Sequence, residues 1–284
     1  MGVDTALKNQ YSSNIMLLVQ QLTAKVVGTV YQKPDAAGET SYQDQIAAED
    51  AQEKTARNQK VINTDPNYDR RKIVPRYFYR APLIDKMDKI EMLKDPTSEV
   101  VQTNSASLAR AQDTTICTAF FATAYSGKAG GTSNTLSGDQ VIAVGATGLN
   151  MNKIREAKRV LDENEVPDED RSFAHSAKQL EELLAITEVT SNDYAQVKAL
   201  VDGKPGTICG FTFVKTQRLP ISGTTRKCAA YHKTAMVFAP WMDMLTSIDI
   251  LPGNHFSAQV YAGQSYGATR LEEEKLVEVD CLES

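Results

Sequence analysis

The chain has 284 residues, of which 42% are hydrophobic and 24% are charged. This composition excludes a chain that is disordered throughout. The formal net charge of −5 and the pI of about 5.4 argue against a strongly basic protein that coats nucleic acid. No apolar run approaches the roughly 18 residues that cross a bilayer, and the N-terminal residues lack the pattern of a signal peptide.

Residues 11–30 carry apolar side chains at helical spacing. They are Ile15, Leu18, Val19, Leu22 and Val26. This spacing predicts an amphipathic helix, with Ser12 or Ser13 as its cap. The apolar stripe must be buried against something, and another subunit is one such surface.

The segment 34–69 is polar and contains scattered Pro, Gly, Asn and Asp. It is too long for an ordinary connection within a domain. Residues 70–84, RRKIVPRYFYRAPLI, are basic, aromatic and β-prone. Together they predict a long two-stranded excursion that turns near NTDPNYD. An isolated hairpin is barely stable in water, so the excursion needs a neighbour.

The basic and aromatic return segment has two interpretations. In the first, Tyr77, Phe78 and Tyr79 stack on nucleic-acid bases. In the second, which an acidic protein favours, the arginines pair with carboxylates of a neighbouring subunit. The candidate inter-subunit contacts are Arg70, Arg71, Arg76 and Arg80.

A long helix is predicted from Asp95 onward. Pro96 suits its first turn and Gly127 its end. About 30 residues would span roughly 45 Å. The next stretch, GKAGGTSNTLSGDQVIAVG, is not a phosphate-binding loop, because Lys128 precedes the other glycines and no Ser or Thr follows it. It predicts a loop and a strand, QVIAVG.

Helices and a strand are predicted after residue 149. Asn150 caps the first helix and Pro167 stops it. RSFAH is a short strand, and Ser176 and Gln179 form a capping box for a second helix. A third helix is predicted around NDYAQVKALV, residues 192–201. Turns at 202–206 then lead to buried strands in TICGFTFVKTQRLP and CAAYHKTAMVFAP, and the alternating tail from Phe256 predicts two or three antiparallel strands.

The stretch between the first helix and the RSFAH strand is rich in carboxylates of the kind that glycosidases use in pairs. They are Asp162, Glu163, Glu165, Asp168, Glu169 and Asp170. They fall on a helix end and a polar turn, where carboxylates are usually solvated, so catalysis is not favoured. His175 adjoins Ser176, but no Gly-x-Ser-x-Gly elbow is present.

No cofactor or metal is expected. The four cysteines are far apart and the three histidines lack metal-ligand spacing. Cys117 and Cys209 have apolar neighbours in sequence, which fits free thiols in a reducing compartment.

Three segments, in this order, resemble the major capsid proteins of tailed bacteriophages with the HK97-type fold. They are NKIREAKRVLDENEVPDEDRSFAHSAKQLEELL, then GKPGTICGFTFVKTQRLP, then CAAYHKTAMVFAP with FSAQVYAGQSYGATRLEEEKLVEVDC. The patterns AKxxLDExxVPxxxR, GxIxGFxxxxxxxLP, HKxAxxxA and YGAxRL within them are similar to those of the family. The resemblance spans most of residues 60–284.

The resemblance implies an α+β fold in four parts. Residues 1–35 would be an N-terminal arm and 36–84 an extended hairpin, the E-loop. Residues 85–148, with a long spine helix at 97–126, would form a P-domain that 256–284 completes. Residues 149–255 would form an A-domain, a central sheet flanked by helices, with the loop ISGTTRK near the capsomer centre.

The implied function is structural rather than enzymatic. Copies would form the pentamers and hexamers of an icosahedral head around double-stranded DNA, held without sequence-specific binding or a membrane. A separate scaffolding protein and a portal are expected partners, with assembly in the bacterial cytoplasm and final residence in the virion. The covalent Lys–Asn cross-link of one branch has no assignable position.

Two alternatives stay open at this point. An encapsulin-type nanocompartment shell shares the fold and would enclose a cargo enzyme. A soluble α/β enzyme would use the carboxylates between residues 150 and 185.

Overall fold

The computed structural model describes residues 20–61, 63–85, 97–185 and 207–283. In chain order, the helices and strands of these ranges are β1 (Tyr31–Gln32), β2 (Ser41–Ile46), β3 (Tyr68–Ile73), β4 (Arg76–Arg80), β5 (Leu83–Ile84), α1 (Thr97–Phe121), β6 (Ala124–Ser126), β7 (Thr132–Asn134), β8 (Val141–Ile142), α2 (Met151–Glu163), β9 (Arg171–His175), α3 (Ala177–Leu184), β10 (Thr207–Ile208), β11 (Phe211–Lys215), β12 (Ile221–Ser222), β13 (Thr225–His232), β14 (Met236–Leu251), β15 (Ser257–Arg270) and β16 (Leu276–Leu282). Over these same ranges, no helix has the length and apolar character needed to cross a membrane.

A five-stranded sheet lies against the long helix α1. Its two longest strands, β14 and β15, pair antiparallel from Met236–Arg270 to Leu251–Ser257. Strands β4 and β5 pair with β15, and β1 pairs with β14. The Asn104 side chain of α1 donates a hydrogen bond of 3.0 Å to the Val260 carbonyl of β15, which fixes the helix on one face of this sheet.

A seven-stranded sheet holds the main hydrophobic core. Its order is β10-β11-β9-β13-β16-β8, with β12 also on β13. Strand β9 lies between β11 and β13 and is buried along its whole length. Helix α2 places Ile154, Ala157 and Leu161 in the same core, as its apolar spacing predicts.

Both predicted caps beside this sheet are confirmed. The Asn150 side chain accepts a hydrogen bond of 2.9 Å from the backbone N–H of Lys153 at the start of α2. Ser176 and Gln179 form the capping box at the start of α3. These caps satisfy backbone donors that have no partner inside the helix.

The long helix ends earlier than expected. It was predicted to run to about residue 126, but α1 stops at Phe121 and the chain then forms β6. The fully buried Arg270 explains the end, since its Nη1 donates to the carbonyls of Phe120 and Ala122 at 2.8 and 3.0 Å. These carbonyls lie at the end of the helix, where C=O groups lack a helical partner.

The N-terminal helix prediction is wrong for the residues that can be compared. Residues 11–19 lie outside the described ranges, and 20–30 contain only a short 3-10 turn, Val27–Thr29. The buried carboxylate of Asp113 accepts hydrogen bonds from the backbone of Lys25 and Val26 at 3.0 to 3.1 Å. The segment is therefore held to α1 in an irregular conformation. The helix predicted at 192–201 also lies outside the described ranges.

In the C-terminal half of the chain, the strands are distributed between the two large sheets in a way that does not follow the expected limit between residues 255 and 256. CAAYHKTAMVFAP is not one strand, because β13 and β14 belong to different sheets with a short turn, Lys233–Ala235, between them. The expected limit at 255/256 falls between β14 and β15, which pair along their length. Segment 256–284 is itself shared, since β15 lies in the five-stranded sheet and β16 pairs with β13 in the other.

Candidate functional site: subunit-contact surfaces

A protruding arm, residues 41–73, extends from a small four-stranded sheet. Strands β2 and β3 pair from Ser41–Ile73 to Ile46–Tyr68, and Arg71 pairs with Ser126 of β6 at the base. At the tip, residues 47–61 and 63–67 are exposed throughout. The side chain of Gln59 accepts from the backbone of Thr55 at 2.9 Å, which makes a local turn. The described part of the tip is therefore not buried against its own subunit.

The base of the arm is tied to the subunit by Asp69. Its Oδ1 accepts hydrogen bonds from the backbone N–H of Arg70 at 2.8 Å and of Gly127 at 3.0 Å. Partial burial would raise the pKa of the Asp69 carboxyl, but these hydrogen bonds outweigh it and lower that pKa. Arg70 pairs with Asp44 across the hairpin at 3.2 Å, with both side chains partly exposed.

Arg71 is held inside its own subunit by a carboxylate that is mostly shielded from solvent. Its Nη2 lies 2.5 Å from Oε2 of Glu273, and the two side chains are 9% and 14% exposed. Oε1 of the same carboxylate lies 3.3 Å from Nε of Arg270. Burial lowers the pKa of Arg270, and the charge of Glu273 opposes that shift. Glu273 thus joins the arm to the guanidinium that ends α1.

Arg76 and Arg80 lie on β4, in the five-stranded sheet, and not on the hairpin where the sequence placed them. Both are exposed, and neither forms an ion pair with a carboxylate in the ranges described. Of the four candidate arginines, these two have guanidinium groups left for a neighbour. Arg70 is partly engaged by Asp44. Arg71 is buried and held through Nε by Gln45 and through Nη2 by Glu273, so its guanidinium is not presented to a neighbour.

The aromatic residues of β4 divide between two faces, as alternate residues of a strand must. Phe78 stacks on Tyr266 on the α1 side, with ring centroids 4.9 Å apart. Tyr77 and Tyr79 are 52% and 67% exposed on the other face. Phe78 therefore does not share a surface with Tyr77 and Tyr79, which excludes only the arrangement in which all three rings stack on bases. The half-buried ring of Tyr261 on β15 lies beside them, with its centroid 6.3 Å from that of Tyr79. The sequence does not indicate this neighbour, because the pairing of β4 with β15 brings the two residues together.

The side chains considered for catalysis are exposed to solvent or held in ion pairs and hydrogen bonds within the fold. All six carboxylates of the acidic stretch are exposed. Arg171, 2% exposed, pairs with Asp162 at 2.6 Å and Asp168 at 3.3 Å. His175 is fully buried, its Nδ1 donates to the Ser176 carbonyl at 2.8 Å, and burial lowers its pKa. Among the described residues, no group of His, Cys, Asp and Glu is arranged to hold a metal ion.

Comparison with solved structures defines the class of fold. The capsid of cyanophage P-SCSP1u matches with a TM-score of 0.77 and 14% identity, over 100% of this chain and 95% of that one. The capsid of Ralstonia phage GP4 matches at 0.76 and 10%, over 98% and 95%. That of Helicobacter pylori bacteriophage KHP30 matches at 0.73 and 10%, over 99% and 96%. The predicted α+β capsid fold is confirmed.

The family follows from the sequence itself. The family model described as "Phage capsid protein" matches residues 3–283, and the chain belongs to that family. No curated protein matches it. The predicted function as a major capsid protein, a structural component of the virion, is confirmed, and the encapsulin alternative is not favoured.

Proposed function

We propose that copies of this chain associate into pentamers and hexamers that close as an icosahedral head around double-stranded DNA. The observation that carries the proposal is the protruding arm, whose described tip residues are exposed throughout. Its paired strands are anchored in the four-stranded sheet, but the exposed tip buries little surface within its own subunit, and a neighbouring subunit supplies a surface for it. The negative net charge suits a shell that holds DNA without adhering to it.

The sheets suggest a division of the chain that differs from the expected segments. The protruding arm is the E-loop, and residues 1–35 are the N-terminal arm. Helix α1 with the five-stranded sheet is the P-domain. Helices α2 and α3 with the seven-stranded sheet are the A-domain. We assign to this domain the contacts between subunits at the centre of each capsomer. The chain thus crosses between the two domains more than once.

Contacts between subunits are assigned to Arg76 and Arg80, with Arg70 secondary and Arg71 internal. Their exposed position on β4 beside Tyr77 and Tyr79 supports this ranking. Arginine and tyrosine are enriched where protein surfaces meet. A scaffolding protein and a portal complete the proposed set of partners, and assembly takes place in the bacterial cytoplasm.

The test removes the tip of the arm. In the variant, Asn-Gly replaces residues 47–67 and joins the paired residues Ile46 and Tyr68 through a two-residue hairpin turn. We expect the full chain to form closed shells, seen by electron microscopy and sedimentation. The shortened variant should keep the circular dichroism spectrum of the folded subunit and sediment as small oligomers. Normal shells from the variant would contradict the proposed role of the arm.

A further inference from the structure

A polar cleft of about 820 Å³ lies between helix α2, the loop before β8 and the turn before β16. This volume is in the range of clefts that hold small molecules. Each of the three elements contributes one exposed carboxylate to the lining, namely Glu156, Asp139 and Glu274 in that order. None of the three forms an ion pair with a residue in the described ranges. The cleft therefore has negative charge that its own subunit leaves unpaired.

The other charged groups of the lining are already paired. Arg159 lies 2.5 Å from Glu163, and the carboxylate of Glu273 is shared by Arg71 and Arg270. Among the described residues that line the cleft, Arg159 is the only cation. A cation that neutralises the three unpaired carboxylates must therefore come from outside the subunit.

A buried amide in the wall of the cleft points to a hydrogen-bond donor independently of this charge. Gln140 is 4% exposed, and its Nε2 donates to the Glu273 carbonyl at 2.6 Å. This hydrogen bond assigns the other end of the amide as the oxygen. That oxygen, Oε1, is buried and accepts no hydrogen bond in the described part of the chain. Because a buried acceptor without a donor is costly, the wall favours a ligand that donates hydrogen bonds.

The placement of the carboxylates decides the kind of cation. They come from three different elements, and over the described residues no group of His, Cys, Asp and Glu is arranged to hold a metal ion. A ligand that neutralises them needs two or more cationic groups joined by a linker. Val141 and Val160 also line the cleft and offer apolar surface to methylene groups. An aliphatic polyamine has this chemistry, since its ammonium groups only donate hydrogen bonds and methylene segments separate them.

We propose that the cleft binds one aliphatic polyamine per subunit. Its ammonium groups pair with Asp139, Glu156 and Glu274, and the group nearest Asp139 donates to Oε1 of the adjacent Gln140. Binding to the folded subunit alone stabilises it by mass action. The site lies apart from the arm and from β4, and it needs no assembled shell. It therefore goes beyond the proposed function and can fail without affecting it.

The experiment measures spermidine binding to unassembled full-length subunits by titration calorimetry. We expect one saturable site per subunit and a thermal unfolding midpoint that rises with spermidine. The cleft variant carries Glu156→Gln and Glu274→Gln, and its dissociation constant should be larger by about tenfold or more, because two ion pairs are lost. The matched control carries Glu165→Gln and Glu169→Gln, which remove two exposed carboxylates outside the cleft and should leave the dissociation constant unchanged.

Three results would overturn the proposal. The first is the absence of saturable binding, and the second is equal weakening in the cleft variant and its matched control, which would indicate general attraction to an acidic protein. The third is an equal rise of the unfolding midpoint with magnesium chloride or sodium chloride at the same ionic strength, which would indicate screening alone.

A basic protein segment is the rival occupant, because the buried Nδ2 of Asn134 in the lining lacks an acceptor that a peptide carbonyl would supply and a polyamine would not. Trilysine is therefore titrated in parallel with spermidine. We expect trilysine to bind more weakly, and tighter binding of trilysine would assign the cleft to a protein partner and contradict the proposal.

Discussion

At the scale of single residues, Glu273 links three separate parts of the fold. One carboxylate joins Arg71 of the arm to Arg270, which in turn ends helix α1. Its backbone carbonyl also accepts from Gln140. In the sequence it is one of three consecutive glutamates, and nothing local distinguishes it from Glu272 and Glu274. Its contacts with Arg71 and Gln140 span 202 and 133 positions in the chain, so local patterns could not predict them.

Replacement of Glu273 by Gln should destabilise the subunit strongly. The change leaves two buried guanidinium groups without their counter-charge, and breaking a buried pair in this way costs about 3 kcal/mol or more. The free energy of unfolding of unassembled subunits, measured in urea, should fall by about that amount. Glu272→Gln is the control, since its partly exposed pair with Lys275 should contribute less than about 1 kcal/mol. Equal losses in the two variants would contradict the role of Glu273.

His175 should make the subunit less stable in mild acid. Burial lowers its pKa in the folded subunit below the ordinary value of 6.5, so the folded state binds the proton more weakly than the unfolded chain. The stabilising contribution is complete above pH 6.5 and is lost as the pH falls through the folded-state pKa, by at most about 1.4 kcal/mol per pH unit.

The measurement is the free energy of unfolding of unassembled subunits between pH 7 and pH 5. His175→Asn should show a smaller slope over that interval, whatever its stability at pH 7. The exposed His255 provides the control variant, His255→Asn, whose slope should equal that of the original chain. An unchanged slope in His175→Asn would assign the pH dependence to other groups.

At the scale of elements, prediction succeeds where the signal is local. The caps at Asn150 and Ser176, strand β9 and the helices they flank follow from adjacent residues, and all are confirmed. Prediction is wrong where a distant side chain decides, as with Asp113 at the N-terminal segment and Arg270 at the end of α1. The prediction of the arm is also only partly right. The sequence shows a long polar segment, but it does not show where the hairpin ends and where β4 joins another sheet.

The two pairs of candidate arginines should therefore respond differently to charge reversal. Arg76→Glu with Arg80→Glu changes exposed side chains and should alter the free energy of unfolding by less than about 1 kcal/mol. It should nevertheless lower shell yield, because it replaces the guanidinium groups that the neighbouring subunit contacts with carboxylates. Arg71→Glu places a second carboxylate at a buried position against Glu273 and should unfold or strongly destabilise the subunit.

Urea unfolding and shell yield, measured on both variants, separate the two effects. Lys54→Glu is the comparison variant, because it reverses an exposed charge at the tip of the arm and leaves the surface of β4 unchanged. Normal shell yield from the Arg76 and Arg80 variant would remove these residues from the interface. Normal stability of Arg71→Glu would contradict the buried ion pair.

At the scale of the whole molecule, the two large sheets are built from segments that are far apart in the chain. Strand β4, near residue 78, pairs with β15, near residue 264, and β8 at Val141 pairs with β16 at Glu278. Helix α1 also packs on β15. The family and fold were predictable from ordered motifs, but this sharing of segments was not, because no local pattern records which distant strand a given strand will join.

The long separation between paired strands has a consequence for the timing of assembly. Loop closure over such distances is slow, and domains dominated by non-local pairing fold slowly. Neither large sheet can be completed before residues 257–282 have been synthesised. We therefore expect subunits that are competent to assemble to accumulate gradually behind translation, with a low free concentration at first. We expect nucleation of shells, which needs several such subunits at once, to be rare compared with the growth of shells already begun, so that few incomplete particles would compete for the same supply.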